Sequence, residues 1–297
     1  MNKFKVLLVF VLFSTFQLVV AQSRWDKVKI VAEKVTNQIY MLKGSGGNIG
    51  LFIGEDAVFM IDDQFAPLTP KILEAIKKIT SKKVSYLINT HWHGDHAGGN
   101  ENMGKEGALI FAQENVRKRM STPTKRGNRT IPASPKIALP VITFDKDISF
   151  HLNGDDVLVT HIHHAHTDGD ALIYFANNNV LHTGDSFFQG KFPYIDLNSG
   201  GSIDGYIEGI QKMILITDEN TKIIPGHGNV ASKADLKIYL KMLTTLKERV
   251  LVEIKKGKTL EDVKENANIT KGYESFSGWI TEERIRTTIY TSLTSNK

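Results

Sequence analysis

Three histidines and one aspartate lie within six residues of one another, in the sequence His-Trp-His-Gly-Asp-His. His91, His93, Asp95 and His96 offer imidazole and carboxylate groups, which are common protein ligands of zinc. They follow an apolar, strand-like run at residues 84–88, and side chains two apart in extended chain point the same way. His91 and His93 are therefore predicted to converge on one cation, while Asp95 and His96 face a second point. A chance run of histidines in a surface loop is disfavoured by this position at a strand end.

The His-x-His-x-Asp-His pattern resembles the signature of the metallo-β-lactamase superfamily. Three further matches follow in the family's order, each after a strand-like run: His166 in His-Thr-Asp-Gly-Asp, Asp185 in Leu-His-Thr-Gly-Asp-Ser and His227 in Ile-Pro-Gly-His-Gly. The resemblance covers nearly all of the chain beyond its first residues. It implies an α/β fold, the four-layer αβ/βα sandwich, in which two mixed β-sheets are flanked by helices and the site lies along one sheet edge.

The same resemblance implies two zinc ions, with iron or manganese as alternative metals. One ion would be bound by His91, His93 and His166, the other by Asp95, His96 and His227, and Asp185 would bridge them with its two oxygens. Two cations about 3.5 to 4 Å apart acidify a shared water and stabilise developing negative charge. The expected reaction is attack of a metal-bound hydroxide on a carbonyl, with Asp95 as the catalytic residue that orients the hydroxide.

Other polar residues are candidates for supporting roles. Asp62 ends a strand-like run, and two interpretations stay open: a partner that orients a metal-bound histidine, or a residue that merely terminates the strand. The loop after Asp185 contains Lys191, Tyr194 and Asn198, which are candidate substrate contacts.

The remaining histidines are predicted to lie outside the ligand set. His161 and His163 are expected on one strand face with structural roles, and His164 is expected near the site without binding metal. His182 is predicted to be a core residue and His151 a surface residue.

Hydrophobic periodicity predicts the elements that position these residues. The first half contains strand material at 28–42, a hairpin of strands 49–53 and 57–61, a helix at 70–83, a strand at 108–112, a helix at 114–120 and a proline-containing loop at 121–140. The second half contains strands at 142–144, 148–152, 157–163, 171–175, 180–183 and 222–225, helices at 202–216 and 232–255, and two more helices beginning at Thr259 and Thr281. The long loop is interpreted either as a cover over the site or as a surface excursion.

The first 21 residues are predicted to be a signal peptide cleaved after Ala21, because Lys3 and Lys5 precede a mostly apolar stretch and a small-residue cleavage site. An uncleaved membrane anchor is the alternative, but the stretch is short for a span of about 20 residues. Residues 22–297 are then expected to form one domain, with carboxyl-terminal helices from about residue 232. The expected location is the periplasm or the extracellular space, with no stable membrane anchor after cleavage.

Charge and cysteine content limit the partners. The chain has no cysteine, so disulfides cannot stabilise it. Its formal net charge of +5 would fall to +3 without Lys3 and Lys5, and no arginine-rich or aromatic patch indicates nucleic-acid binding. The expected partner is a small-molecule substrate, and the sequence does not indicate an oligomeric state.

The sequence predicts a class of reaction more firmly than a substrate. The resemblance implies cleavage of a β-lactam, lactone, ester or thioester, and export favours a class B β-lactamase. In the best-known lactam-cleaving members a cysteine occupies the position of Asp185, and a lysine follows where Phe188 stands here. A lactonase or a thioesterase similar to glyoxalase II is therefore an alternative. Two further alternatives are a mononuclear iron enzyme similar to persulfide dioxygenases and a non-catalytic metal-binding protein.

Overall fold

Seven strands form the first of two β-sheets. The structure, a computed structural model, describes residues 23–126 and 129–295, so the predicted signal peptide at 1–21 lies outside the described residues. The strands of the first sheet are β1 (Val31–Lys34), β2 (Ile39–Lys43), β3 (Ile49–Ile53), β4 (Val58–Ile61), β5 (Val84–Asn89), β6 (Leu109–Gln113) and β9 (Ile142–Phe144). β1 to β4 pair antiparallel, whereas β4, β5, β6 and β9 pair parallel.

Five strands form the second sheet, and a short ribbon lies between the two sheets in the chain. The ribbon pairs β7 (Thr124–Arg126) with β8 (Arg129–Ile131). The second sheet contains β10 (Asp147–Leu152), β11 (Asp155–Ile162), β12 (Asp170–Phe175), β13 (Val180–His182) and β14 (Lys222–Ile224). All its pairs are antiparallel except β13 with β14, so both sheets are mixed, as predicted.

Eight α-helices connect and cover the sheets in the described part of the chain. They are α1 (Thr69–Lys77), α2 (Gly94–Ala97), α3 (Asn100–Lys105), α4 (Glu114–Met120), α5 (Ile203–Ile216), α6 (Lys233–Lys255), α7 (Leu260–Glu265) and α8 (Glu282–Thr294). Side-chain caps begin each of the last four: the hydroxyls of Ser202, Ser232, Thr259 and Thr281 each accept a backbone N–H of the first turn. None of these helices is both long and apolar enough to cross a membrane.

Three buried apolar clusters define four layers. One lies between the sheets, where Phe52 and Phe59 of the first face Phe175 and Val157 of the second. A second packs α1 on the outer face of the first sheet, and a third packs α5, α6 and α8 on the outer face of the second. Burial of apolar area contributes about 25 cal/mol per Å², so these three interfaces are the main source of stability. The four-layer αβ/βα sandwich is confirmed.

Two segments differ from the prediction. The first helix ends at Lys77 rather than at residue 83, because the hydroxyl of Thr80 accepts the backbone N–H of Lys82 and turns the chain toward β5. The predicted loop at 121–140 contains the β7–β8 ribbon. Pro123 and Pro132 flank this ribbon instead of interrupting it, so they remove no donor from its ladder.

Candidate metal centre

Strand ends from both sheets position the predicted ligands. His91 and His93 follow β5, and Asp95 and His96 lie in the single turn of α2. The second sheet supplies the other ligands: His166 follows β11, Asp185 follows β13, and His227 follows β14. A hydrogen bond from Ala171 N to Thr90 O, 2.9 Å long, joins the sheets beside this edge.

The first group of potential ligands is fully buried and consists of His91, His93, His166 and Asp185. One potential ligand atom of each lies within 4.8 Å of the others. Nδ1 of His93 is 2.8 Å from Nε2 of His166, and Oδ2 of Asp185 is 3.7 Å from the same Nε2. The same carboxylate oxygen is 3.9 Å from Nε2 of His91. These four side chains enclose one point.

The second group consists of Asp95, His96 and His227, again with ligand atoms within 4.8 Å of one another. Nε2 of His227 is 3.4 Å from Oδ2 of Asp95. The other oxygen of Asp185, Oδ1, is 3.0 Å from Nε2 of His96 and 3.3 Å from Nε2 of His227. The two oxygens of Asp185 therefore face different groups, which is the placement a bridging carboxylate needs.

Hydrogen bonds on the outer side of the first group fix which ring nitrogens face inward. His166 donates from Nδ1 to the backbone oxygen of Tyr194, at 2.6 Å, and His93 donates from Nε2 to Asp196, at 2.9 Å. In neutral rings the inward nitrogens of both histidines then carry lone pairs, and these face each other at 2.8 Å. Such an arrangement is repulsive unless a proton or a cation lies between the nitrogens.

The same logic applies to His91 and His96. The carboxylate of Asp62 accepts a hydrogen bond from Nδ1 of His96, at 2.7 Å, and another from the hydroxyl of Thr90, at 2.8 Å. That hydroxyl in turn accepts Nδ1–H of His91, at 3.0 Å. Nε2 of His91, Nε2 of His96 and Oδ1 of Asp185 are buried without a hydrogen-bond partner among the described residues. A buried unsatisfied polar atom costs about 1–3 kcal/mol, so these residues fit a bound cation.

The protonation states of the two groups differ. Burial, helped by the neighbouring histidines, lowers the pKa of His91 well below its usual value and that of His166 to about 4, so both rings are neutral and can bind metal. Burial also lowers the pKa of His227, but the carboxylates of Asp185 and Asp95 outweigh it and raise the pKa to about 9. A cation must displace that proton to bind there.

Comparison with known proteins gives the family. Residues 42–227 match the family model described as the metallo-beta-lactamase superfamily. The chain belongs to this superfamily. Among solved structures, a metallo-beta-lactamase from Pontibacter korlensis has the same fold, with a TM-score of 0.62 and 18% identity, over 73% of this chain and 99% of that one.

Two known proteins are similar to this chain over part of their length. A beta-lactamase-like protein 2 homolog of Caenorhabditis elegans is 26% identical over 63% of this chain and 57% of its own length. A hydroxyacylglutathione hydrolase of Pelagibacter ubique is 29% identical over 51% of this chain and 56% of its own length. The chain thus spans little more than half the length of these relatives.

Two glycines pack directly against candidate ligands. A Cβ at Gly47 would lie 2.1 Å from Cε1 of His96, and a Cβ at Gly226 would lie 2.1 Å from Oδ1 of Asp185. Real Cβ atoms do not approach other atoms so closely, so any larger residue would displace a candidate ligand. The turn that contains Gly47 is held in place, because its N–H donates to Asp95 O and its carbonyl accepts the amide of Gln64.

Four of the seven candidate ligands, His93, Asp95, Asp185 and His227, line a cavity of about 1120 Å³. This volume suits a drug-sized ligand. All three candidate substrate contacts, Lys191, Tyr194 and Asn198, line the cavity, and the ring of Phe188 lines it while stacked on His227. Lys125 of the β7–β8 ribbon also lines it, so the long loop reaches the site.

The other histidines lie away from the cavity. His164, which was predicted to lie near the site without binding metal, does not line the cavity: it is exposed, and its Nδ1 lies 2.8 Å from the backbone oxygen of Gly200. His161 is buried, bonded to the oxygen of Asp170, and exposed His163 stacks edgewise on it. His182 is buried against Asn48, and His151 is exposed and paired with Asp156.

Asp196 is the contact that the sequence did not single out. It lies 103 residues after His93 and just before a short turn that contains Ser199, whose hydroxyl also donates to it, at 2.6 Å. Burial raises the pKa of Asp196, but the hydrogen bonds from His93 and Ser199 outweigh that effect and hold it at about 2. Asp196 lies in an irregular loop and belongs to no recognisable sequence motif, so its hydrogen bond to His93 could not be predicted from the sequence.

Proposed function

We propose that this chain is a dinuclear zinc-dependent hydrolase that cleaves a β-lactam, lactone, ester or thioester. The observation that supports two cations is the placement of Asp185, whose two oxygens face two separate groups of ligand atoms. His91, His93 and His166 would hold one ion, and Asp95, His96 and His227 the other. Two such ions would acidify a water molecule and stabilise negative charge on the attacked carbonyl oxygen.

The residues of the chain have distinct tasks in this proposal. Asp95 is the catalytic residue: it is partly exposed to the cavity and ionised, because His96 and His227 outweigh the effect of burial and lower its pKa. Its carboxylate orients the attacking water by accepting a hydrogen bond from it. Asp62 and Asp196 keep the rings of His96 and His93 in the tautomers that face inward.

The similarity to a hydroxyacylglutathione hydrolase favours an ester-like or thioester-like substrate over a β-lactam. Asp185 and Phe188 stand where a cysteine and a lysine serve lactam cleavage, and this departure supports the same choice. The proposed location is the periplasm or the extracellular space, on the strength of residues 1–21 alone.

Elemental mass spectrometry of the purified chain tests the proposal, together with hydrolysis of a chromogenic cephalosporin, a lactone and a thioester, each with and without chelator. Two zinc ions per chain and chelator-sensitive hydrolysis are expected, with the preferred substrate separating the lactamase from the thioesterase alternative. One iron per chain and no hydrolysis would show that the proposal is wrong and would favour the persulfide-dioxygenase alternative.

A further inference from the structure

The outer wall of the cavity is built by the segment that enters α8, beyond the part of the chain that matches the family model. Trp279, Ile280 and Arg284 of this segment line the cavity. Lys191, from the loop after Asp185, lies against the same segment: its Nζ donates to the oxygen of Ser277, at 3.1 Å. Two parts of the chain thus meet at the cavity mouth.

Aromatic rings at this mouth hold a guanidinium group. The rings of Tyr194 and Trp279 have centroids 5.3 Å apart with an interplanar angle of 60°. Cζ of Arg284 lies 5.1 Å from the ring centroid of Tyr194 and 5.0 Å from that of Trp279. Contact with ring faces orients the planar guanidinium group while leaving its N–H donors available.

Trp279 remains 69% exposed despite this contact. Indole is among the largest apolar groups that a protein can bury, so an exposed one lining a cavity gives a surface on which a flat or apolar part of a ligand can stack. A ligand covering Trp279 would lie directly beside Arg284.

The basic groups at the mouth lack acidic partners. Within residues 23–126 and 129–295, no carboxylate oxygen lies within 4.0 Å of the charged nitrogens of Lys125, Lys191 or Arg284. Arg119, also on the cavity wall, shows the contrast, because it makes two hydrogen bonds to Asp168. The cavity therefore has unpaired positive charge at its mouth, which attracts anions.

We propose that Trp279, Arg284 and Lys191 form a subsite for a carboxylate carried on an aromatic or apolar part of the substrate. The guanidinium fork binds the carboxylate, the ammonium group of Lys191 adds a second donor, and the indole ring covers the apolar part. As a substrate subsite, it rests on the proposed function, and the carbonyl to be cleaved would extend from it toward Asp95 and Asp185. The preferred substrates are thus monoanions with the carboxylate distant from the cleaved bond.

Calorimetric titration with phenylacetate and with neutral phenylacetamide tests this subsite without any turnover. The full chain is used as purified, at low ionic strength. We expect phenylacetate to bind about tenfold more tightly than the amide, as one charge-assisted interaction allows. Arg284→Gln should remove most of the preference, since only Lys191 then remains to bind the carboxylate, and Trp279→Ala should weaken binding of both ligands. Lys241→Gln, which removes an exposed charge from α6, is the matched control and should change neither affinity.

Three results would overturn the subsite: equal affinities for the two ligands, an undiminished preference in Arg284→Gln, or a preference that the unmutated chain loses after chelation. The last would assign the carboxylate to a bound cation. Because Arg284 is exposed, its variant is expected to keep the wild-type melting temperature, and Arg284→Lys should restore part of the preference. Absence of hydrolysis with the preference intact would refute the proposed function and leave the subsite standing.

Discussion

Replacement of Asp196 by alanine is expected to weaken zinc binding without unfolding the chain. The carboxylate accepts Nε2–H of His93, and removing it leaves a buried imidazole N–H without an acceptor. That loss costs about 1–3 kcal/mol. His93 can avoid it by moving its proton to Nδ1, but Nδ1 is the nitrogen that faces His166 and the candidate metal position. Whether Nε2–H stays unsatisfied or the proton moves to Nδ1, the His93 tautomer that binds metal becomes less stable.

Removal of such an orienting partner typically costs about 10- to 100-fold in metal affinity. Competition between the protein and a chromogenic chelator for zinc measures this loss directly. Asp196→Asn is expected to lose less, because its amide oxygen can still accept the hydrogen bond without the negative charge.

Asp156→Ala is the matched control for Asp196→Ala. Asp156 also pairs with a histidine, His151, at 2.6 Å, but both side chains are exposed and lie outside the cavity. This variant should bind zinc as the unmutated chain does. If Asp196→Ala also kept unmutated zinc affinity, the orientation of His93 by Asp196 would be refuted.

Three further outcomes are expected. Asp185→Ala should lose bound metal and hydrolysis together, whereas His151→Ala should lose neither; elemental analysis and rate measurements check both, and a fully active Asp185→Ala would exclude the bridging role. Gly226→Ala should displace the Asp185 carboxylate and lower the zinc content, seen by the same analysis. Gly257→Ala strains the backbone at φ +74 but places its Cβ in open space away from the ligands, so it should leave the zinc content unchanged. Zinc affinity should rise from pH 7 to pH 9. The reason is that His227 has a pKa of about 9, so its proton competes with the cation below that pH and is lost above it. A pH-independent zinc affinity in chelator competition would contradict this expectation.

Much of the fold follows from local sequence signals. Ser232 and Asp235 form a capping box at the start of α6, and Thr259 and Asp262 form another at α7, so these helix starts are visible in the chain. The strands of the second sheet carry β-branched and aromatic residues, and their predicted bounds agree with the structure to within two residues. The predicted length of α1 was wrong because apolar periodicity continues past Lys77, whereas the local turn made by the Thr80 hydroxyl ends the helix there.

The site was predictable where spacing carries information. His91, His93, Asp95 and His96 are close in sequence, and the structure brings them together with three distant residues that each follow a strand: His166, Asp185 and His227. Contacts made by residues in irregular loops have no comparable sequence pattern.

Asp196 and the backbone oxygen of Tyr194 hold ligand rings from a loop without a periodic pattern, so only the folded chain shows them. Arg284 is a similar case, because a charged residue in the first turn of a helix is ordinarily a solvent-exposed group.

The division of the ligand cluster between two sheets has a consequence for how the protein matures. Neither sheet carries a complete set, since the first supplies four candidate ligands and the second supplies His166, Asp185 and His227. Cation uptake therefore reports the docking of the two sheets rather than the formation of either one. During refolding, the secondary-structure signal should appear before zinc is retained, and a chain arrested with undocked halves should stay metal-free however well each half has formed.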